Sequence, residues 1–352
     1  MKKSLLALAV LGAFSGAALA QSSVSIYGVV DAGISYTDNG NPAGESWGLD
    51  SGQQSGSRLG FKGVEDLGGG LSAIFTLESG FNLDNGQLGQ NGRMFGRQAW
   101  VGLNGGFGTV KLGRQTTALY TALSEIDPFQ IGLAGNTQRV FGYGLYAADP
   151  LSRADNTFTY ATPVVSGFSG TVSYSFGEQT TFSEQRSIAA GAKYANGPLN
   201  VQVVYQKSND AALTGQVETG LGLTAGTRAD LTAALIGATY DFGMVKAHLA
   251  YADNKLEMLG AEVKDRNLLA GVSAPVGASG RVLASYILND VKDLDEGKSH
   301  QYAIGYTHAL SKRTNLYTSF SYTDNDAGVR VNNAFANGES VRLFNVGLRH
   351  LF

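Results

Sequence analysis

The spacing of its hydrophobic residues limits what this chain can fold into more than any other feature. Past Gln21, apolar and polar residues alternate in segment after segment. Leu71, Ala73, Phe75 and Leu77 alternate with Ser72, Thr76 and Glu78, and Leu199, Val201, Val203 and Tyr205 with Asn200, Gln202 and Gln206. Residues 172–176, 302–306 and 316–322 repeat the pattern, while some runs, such as 282–289, are ambiguous. Successive side chains change sides only in an extended strand, so each segment reads as a strand with one apolar face.

The connections then decide the architecture. Short runs of turn-forming residues at 66–70, 104–108, 163–170, 196–199, 241–243, 275–280 and 310–314 alternate with longer polar runs at 37–54, 82–93, 177–186, 208–228, 254–265, 290–297 and 325–339. About sixteen strands of roughly ten residues, joined this way, predict an all-β transmembrane antiparallel β-barrel with both termini at the periplasmic end. Unpaired backbone groups cost several kcal/mol each in hydrocarbon, so such a sheet must close on itself. A barrel of about sixteen strands leaves an aqueous lumen.

Residues 1–20 are a separate unit. Lys2 and Lys3, an apolar stretch from Leu5 to Phe14, and the small-residue site Ala18, Leu19, Ala20 predict a secretory signal peptide, with Gln21 opening a mature domain at 21–352. Of 26 basic residues Lys2 and Lys3 would be lost with it, leaving 24 against 29 acidic ones and a charge of −5. That balance excludes a nucleic-acid partner. No window supplies the roughly 20 apolar residues of a membrane helix. Cysteine is absent, which removes disulfides, thiolate metal sites and thiol nucleophiles.

One segment, about 114–153, is neither strand nor turn. It is far longer than the usual connection of roughly 4 to 6 residues, and loops of that size are functional or disordered. Leu119, Leu123, Ile126, Phe129, Val140, Phe141 and Tyr146 give it too much apolar surface to stay solvated, so it is expected to fold inward as a constriction loop. Residues 117–126 have helical spacing, with Glu125, Asp127 and Pro128 as the stop.

Catalytic and metal motifs fail their context tests. Gly44, Ser46 and Gly48 match a nucleophile elbow, but in a polar loop with no strand leading in and no helix following. Gly142, Gly144 and Ala147, like Gly220, Gly222 and Ala225, match a dinucleotide fingerprint without a βαβ unit. His248, His300, His308 and His350 have no ligand spacing. The reading is therefore not an enzyme, with no cofactor and no metal.

Specific motifs carry a resemblance over essentially the whole mature chain. IYGVVDAG at Ile26, SRLGFKGVEDLGGGL at Ser57, FTLESGFN at Phe75, FGRQAWVGL at Phe95, LGRQ at Leu112, LSKRTNLYTSFSY at Leu310 and VGLRHLF at Val346 resemble the general diffusion porins of Gram-negative bacteria, most closely the trimeric type of Neisseria, Comamonas and Burkholderia. The resemblance implies a homotrimer in the outer membrane, among lipid and lipopolysaccharide. It would pass small ions and hydrophilic solutes passively, with a moderate preference for anions; the alternative is a porin preferring a small anion such as a dicarboxylate or phosphate. It also implies that Phe352 is read by the barrel-assembly machinery, and that the third long loop folds into the lumen.

Residue by residue, it places Arg58, Arg97 and Arg153 on the barrel wall, Glu78 beside them, and Glu125 and Asp127 on the loop opposite. The enteric PEFGG form of that loop is absent, and residues 126–129 read IDPF instead, which leaves its path near Asp127 open. For Arg58 alternation agrees independently, since it shares a face with Gly60 and Lys62, and an arginine facing lipid would cost roughly 2–4 kcal/mol at midplane. Parity groups Arg97 with Ala99 and Val101, so only the resemblance turns it inward. Lys62, Arg114, Arg139 and Asp31 are further pore-lining candidates.

Overall fold

The computed structural model describes residues 22–181, 184–213, 223–224, 226–258, 260–292 and 294–352. The expected signal peptide, its boundary at Gln21 and the middle of the predicted loop 208–228 lie outside the described residues. The strands are β1 (Ser23–Asp38), β2 (Ser46–Ser51), β3 (Arg58–Gly68), β4 (Leu71–Gly80), β5 (Gln98–Gly105), β6 (Gly108–Thr116), β7 (Arg153–Ala161), β8 (Phe168–Ser175), β9 (Ser187–Asn196), β10 (Leu199–Ala212), β11 (Arg228–Asp241), β12 (Lys246–Met258), β13 (Ala261–Val276), β14 (Gly280–Val291), β15 (Lys298–Ala309), β16 (Thr314–Asn325) and β17 (Val341–Leu351).

Every pairing is antiparallel, and β17 returns to β1 with Val29 opposite Leu351 and Asp38 opposite Arg342, so the sheet has no free edge. β2 and β3 lie end to end along β1, which pairs Thr37 with Ser46 and Val29 with Arg58. They make one stave, and the barrel is therefore sixteen-stranded.

Alternation sorts the two faces. Ile26, Val101, Val172, Val203, Ile304 and Val346 are exposed on the outside, where hydrocarbon replaces water, and Phe107, Phe168, Phe242 and Phe352 are exposed near the short-turn end. Between the staves the inner residues are buried: Thr76, Gln202, Asn267, Ser299 and Ser319.

The inner face is not polar throughout. Val204, Leu231, Leu235, Leu269 and Ile287 point inward on β10, β11, β13 and β14 and are at most 4% exposed. They receive residues 117–152, which link β6 to β7 through the lumen. This segment opens with α1 (Ala118–Ile126), capped by Thr117, whose Oγ1 accepts from the Tyr120 amide at 3.1 Å. Leu119, Leu123 and Ile126, spaced i, i+4, i+7, are fully buried against that wall. Each such side chain contributes about 1.5–3 kcal/mol relative to exposure. The same contact explains the ambiguity at 282–289, where Leu283 and Ile287 face inward and are buried while alternate residues face out.

Three glycines let the segment lie close to the wall. A Cβ on Gly237 of β11 would collide with Ile126, on Gly271 of β13 it would meet Pro128 at 2.7 Å, and on Gly305 of β15 Phe129 at 2.8 Å. We predict that Gly271→Val pushes the segment toward the lumen axis and lowers single-channel conductance. A folded barrel with unchanged conductance would contradict this packing.

Several predicted loops are partly strand, 254–265 and 37–54 most extensively. Across 254–265, β12 runs to Met258 and β13 resumes at Ala261. Their polar residues form a ladder of ion pairs, with Lys255 Nζ 2.9 Å from Glu257 and 2.8 Å from Glu262, so charge here continues the hairpin beyond the membrane. Across 37–54, β2 pairs back onto β1 and then residues 52–57 turn inward. Asp31, fully buried, holds them, its Oδ2 accepting from the amides of Gln54 (3.0 Å) and Ser55 (2.7 Å). There Gln53 O accepts from Leu133 N at 2.6 Å, joining this excursion to the inserted segment.

Candidate functional site

Arg58, first residue of β3, points inward and is half-buried. Arg97 stands one residue before β5, where its amide still donates to Glu78 O at 3.1 Å but regular alternation has not begun. Parity with Ala99 and Val101 therefore does not apply, and its side chain turns inward, 8% exposed. Its Nε lies 2.7 Å from Glu78 Oε1, and Tyr27 OH donates to Glu78 Oε2 at 2.9 Å. Arg153, first residue of β7, is also 8% exposed, stacks 5.2 Å from the centroid of the Tyr120 ring, and leaves its Nε without a hydrogen-bond partner. Arg58 and Arg153 each feel Arg97 at close range. The wall thus presents three guanidinium groups to one carboxylate.

The loop acids do not answer them. Asp127 is 1% exposed and accepts from the amides of Phe129 (2.8 Å), Ile131 (3.0 Å) and Thr137 (3.2 Å). Contrary to the expectation that it faces the arginines across the lumen, it ties a turn of the inserted segment, because IDPF sets it at the head of the turn that follows α1, whose amides at Phe129 and Ile131 point back to it. Glu125 points to β9 and β10, 2.5 Å from Lys193 Nζ and 2.8 Å from Gln202 Nε2.

The remaining candidates separate in the same way. Arg114 is 9% exposed and fully engaged, by Asp149 and Asp155 at 2.7 Å each and by Gly96 O at 2.7 Å, so it braces the long-loop end. Asp31 is enclosed by its amides and by Tyr317 OH at 2.6 Å, and does not line open lumen. Lys62 is exposed, with Nζ 5.2 Å over the Tyr27 ring. Arg139 is half-buried within the inserted segment, with Asp50 as its nearest opposing charge.

Tyr27, Tyr120 and Lys193 were not singled out from the sequence. Tyr27 shares its strand face with Asp31, so alternation carried that signal; nothing in the sequence tied Tyr120 to Arg153.

Beside α1 lies a cavity of about 230 Å³ lined by Lys111, Gln115, Glu125, Lys193, Gln202 and Gln206 among small hydroxyl residues. Toward the long loops a vestibule of about 700 Å³ opens between Arg93, Arg114, Asp149, Asp155 and Arg228. The two share Ala154, Ser175 and Ser187 in their walls. Among the described residues no group of three or more His, Cys, Asp or Glu is placed to hold a metal.

A closed sixteen-stranded wall with a segment folded into a charged lumen is the form of a diffusion channel, and the Gram-negative porin family model matches residues 7–328. The chain belongs to the Gram-negative porin family. This porin is 39% identical over 368 residues to outer membrane porin protein 32 of Delftia acidovorans, covering 100% of both chains. It is 36% identical over 405 residues to an outer membrane porin of Bordetella pertussis, again across 100% of both. Among solved structures it matches an anion-selective porin from Comamonas acidovorans with a TM-score of 0.79 and 33% identity, over 94% of this chain and 100% of that one. OmpT of Vibrio cholerae, solved in a trimer form, shares the fold at a TM-score of 0.70 and 16% identity, over 94% of this chain and 99% of that one. The porin is an outer-membrane protein and forms a channel for passive diffusion.

Burial raises the Asp127 carboxyl to about 6, against the pull of its three amide donors. A group whose folded value is raised stabilises the fold fully below its unfolded value near 3.8, and that contribution is lost as pH rises through about 6. Lowering the pH from 7 to 5 is therefore expected to increase amide protection factors at Phe129 and Ile131. In Asp127→Asn, which cannot ionise, the dependence should vanish. Protection that falls on acidification in the wild type would refute the assignment.

Proposed function

We propose that Arg58, Arg97 and Arg153, with Glu78 between them and the inserted segment opposite, line the narrowest part of the pore and make it anion-preferring. The observation that carries this reading is the orientation of the loop acids: Glu125 is tied to Lys193 and Gln202, Asp127 to its own backbone, and Asp149, which reaches Arg153 electrostatically, is paired with Arg114, so Glu78 is the carboxylate bonded among the arginines. Selectivity follows charge at the constriction, because at about 0.15 M salt the Debye length is near 8 Å and distant acids are screened. Guanidinium stays protonated at any working pH, and rings of Arg and Lys build anion pores. The anion-selective relative from Comamonas acidovorans supports the same sign. Lys62, exposed on the Arg58 face, adds to the field away from the narrowest point.

The reading extends to assembly. Residues 1–20 are removed on export, Phe352 marks the last strand for the barrel-assembly machinery, and three copies associate through their apolar outer faces within a lipopolysaccharide-bearing membrane. Conductance should then rise in triplets of equal steps, whereas a lone barrel with unit steps would contradict the trimer. The test of selectivity is ion replacement. Exchanging chloride for a bulky organic anion should lower the current more than exchanging potassium for a bulky organic cation, and the reverse order would overturn the reading.

A further inference from the structure

The short-turn end of the barrel carries a second basic site, apart from the wall arginines. A cavity of about 360 Å³ is lined by Arg281 at the start of β14, Lys312 and Arg313 in the turn before β16, and Arg349 near the end of β17. No carboxylate lines it. None of the four cations forms an ion pair within 4.0 Å among the described residues, whereas the basic side chains of the long-loop end, such as Arg93, Arg114, Arg228 and Arg342, do. Four like charges offset by the single buried carboxylate of Asp31, which acts on Arg349, leave a net positive basin that an anion would relieve.

Arg349 is held in place for this. Its Nε donates to Asn315 Oδ1 at 3.0 Å, and Asn315 Nδ2 donates to Gln54 Oε1 at 2.7 Å, so the guanidinium is fixed to the inward excursion at 52–57. Asp31, opposite Arg349 in register, is the nearest carboxylate, but its oxygens are taken by Tyr317 OH and the amides of Gln54 and Ser55. Ser279 and Ser311 add hydroxyl groups to the lining.

We infer that this basin is a binding site for a compact multivalent oxyanion of the phosphate class at the periplasmic mouth of the pore. Three guanidinium groups match the paired oxygens of such an anion, the lysine adds a point charge, and the volume admits a small solute. A monovalent ion such as chloride would leave most of the charge unanswered. The site lies at the end that carries Phe352 and the short turns, which is the periplasmic end of an outer-membrane barrel.

The test is chloride current through the protein in a planar bilayer, with inorganic phosphate added to each side in turn at constant ionic strength. Millimolar phosphate on one side only should reduce the current about twofold. The neutralised variant Arg281→Gln with Lys312→Gln and Arg313→Gln should lose that inhibition, while Arg281→Lys with Arg313→Lys should keep its sidedness. Arg58→Ser with Arg153→Ser, which alters the constriction, should keep it too. Equal inhibition from both sides, or inhibition unchanged in the neutralised protein, would overturn the inference. The two-sided comparison on the wild type stands even where the neutralised variant fails to fold.

Discussion

Deleting residues 125–144 is expected to raise single-channel conductance roughly two- to fourfold, since a barrel of this strand number encloses a wide aqueous channel once its contents are removed. The deleted stretch includes Ile126, Phe129, Leu133, Val140 and Phe141, all at most 2% exposed. None of them pairs with a barrel strand, so the β6 to β7 ladder, from Thr109 opposite Ala161 to Thr116 opposite Arg153, would survive. The loss falls instead on stability. Leu231, Leu235, Leu269 and Ile287 would face water at about 25 cal/mol for each Å² uncovered, and the variant should unfold at lower temperature. Single-channel recording in a barrel that still migrates as folded would check the claim. Unchanged current would mean that the segment does not limit the pore.

Arg97→Ser should shift ion preference further than Arg58→Ser, although both remove one positive charge. Arg97 neutralises Glu78 directly, through a bond in which both side chains are less than 10% exposed. Removing it strands a carboxylate in the constriction, held only by Tyr27, and breaking such a buried pair costs about 3–5 kcal/mol. Both variants lose one net positive charge, but in Arg97→Ser the loss is left as an unpaired carboxylate on the ion path. Glu78→Gln added to either arginine variant restores the net constriction charge of the wild type, two guanidinium groups in place of three with one carboxylate, and should return most of the chloride preference. The bi-ionic potentials of the four proteins decide it. Equal shifts from the two arginine variants would show that Glu78 is not part of the selective charge.

The barrel was legible because lipid imposes one strict rule, apolar outward on every second residue, and Val101, Val203 and Ile304 obey it. Arg58 followed from the same rule. Arg97 did not, since the rule holds only inside a strand and Arg97 lies one residue outside β5. The inner face was less legible because its chemistry depends on what lies against it. Leu231 and Ile287 look like outward residues until the inserted segment is placed over them. The loop acids were misplaced for a related reason. A sequence shows that Asp127 follows α1 but not that three amides turn toward it, and nothing near Glu125 in the chain announces Lys193, which is 68 residues away. The excursion at 52–57 was hidden because its anchor, Asp31, reads equally well as a pore charge.

If local arginines, not the acidic whole, set the sign of the pore, the zero-current potential across a KCl gradient will show it on the wild type and on Arg58→Ser with Arg153→Ser. The wild-type potential should have the sign set by chloride permeation and shift toward the potassium side in the double variant, with conductance still present. A cation-selective wild type, or a potential that the two substitutions leave unmoved, would contradict it.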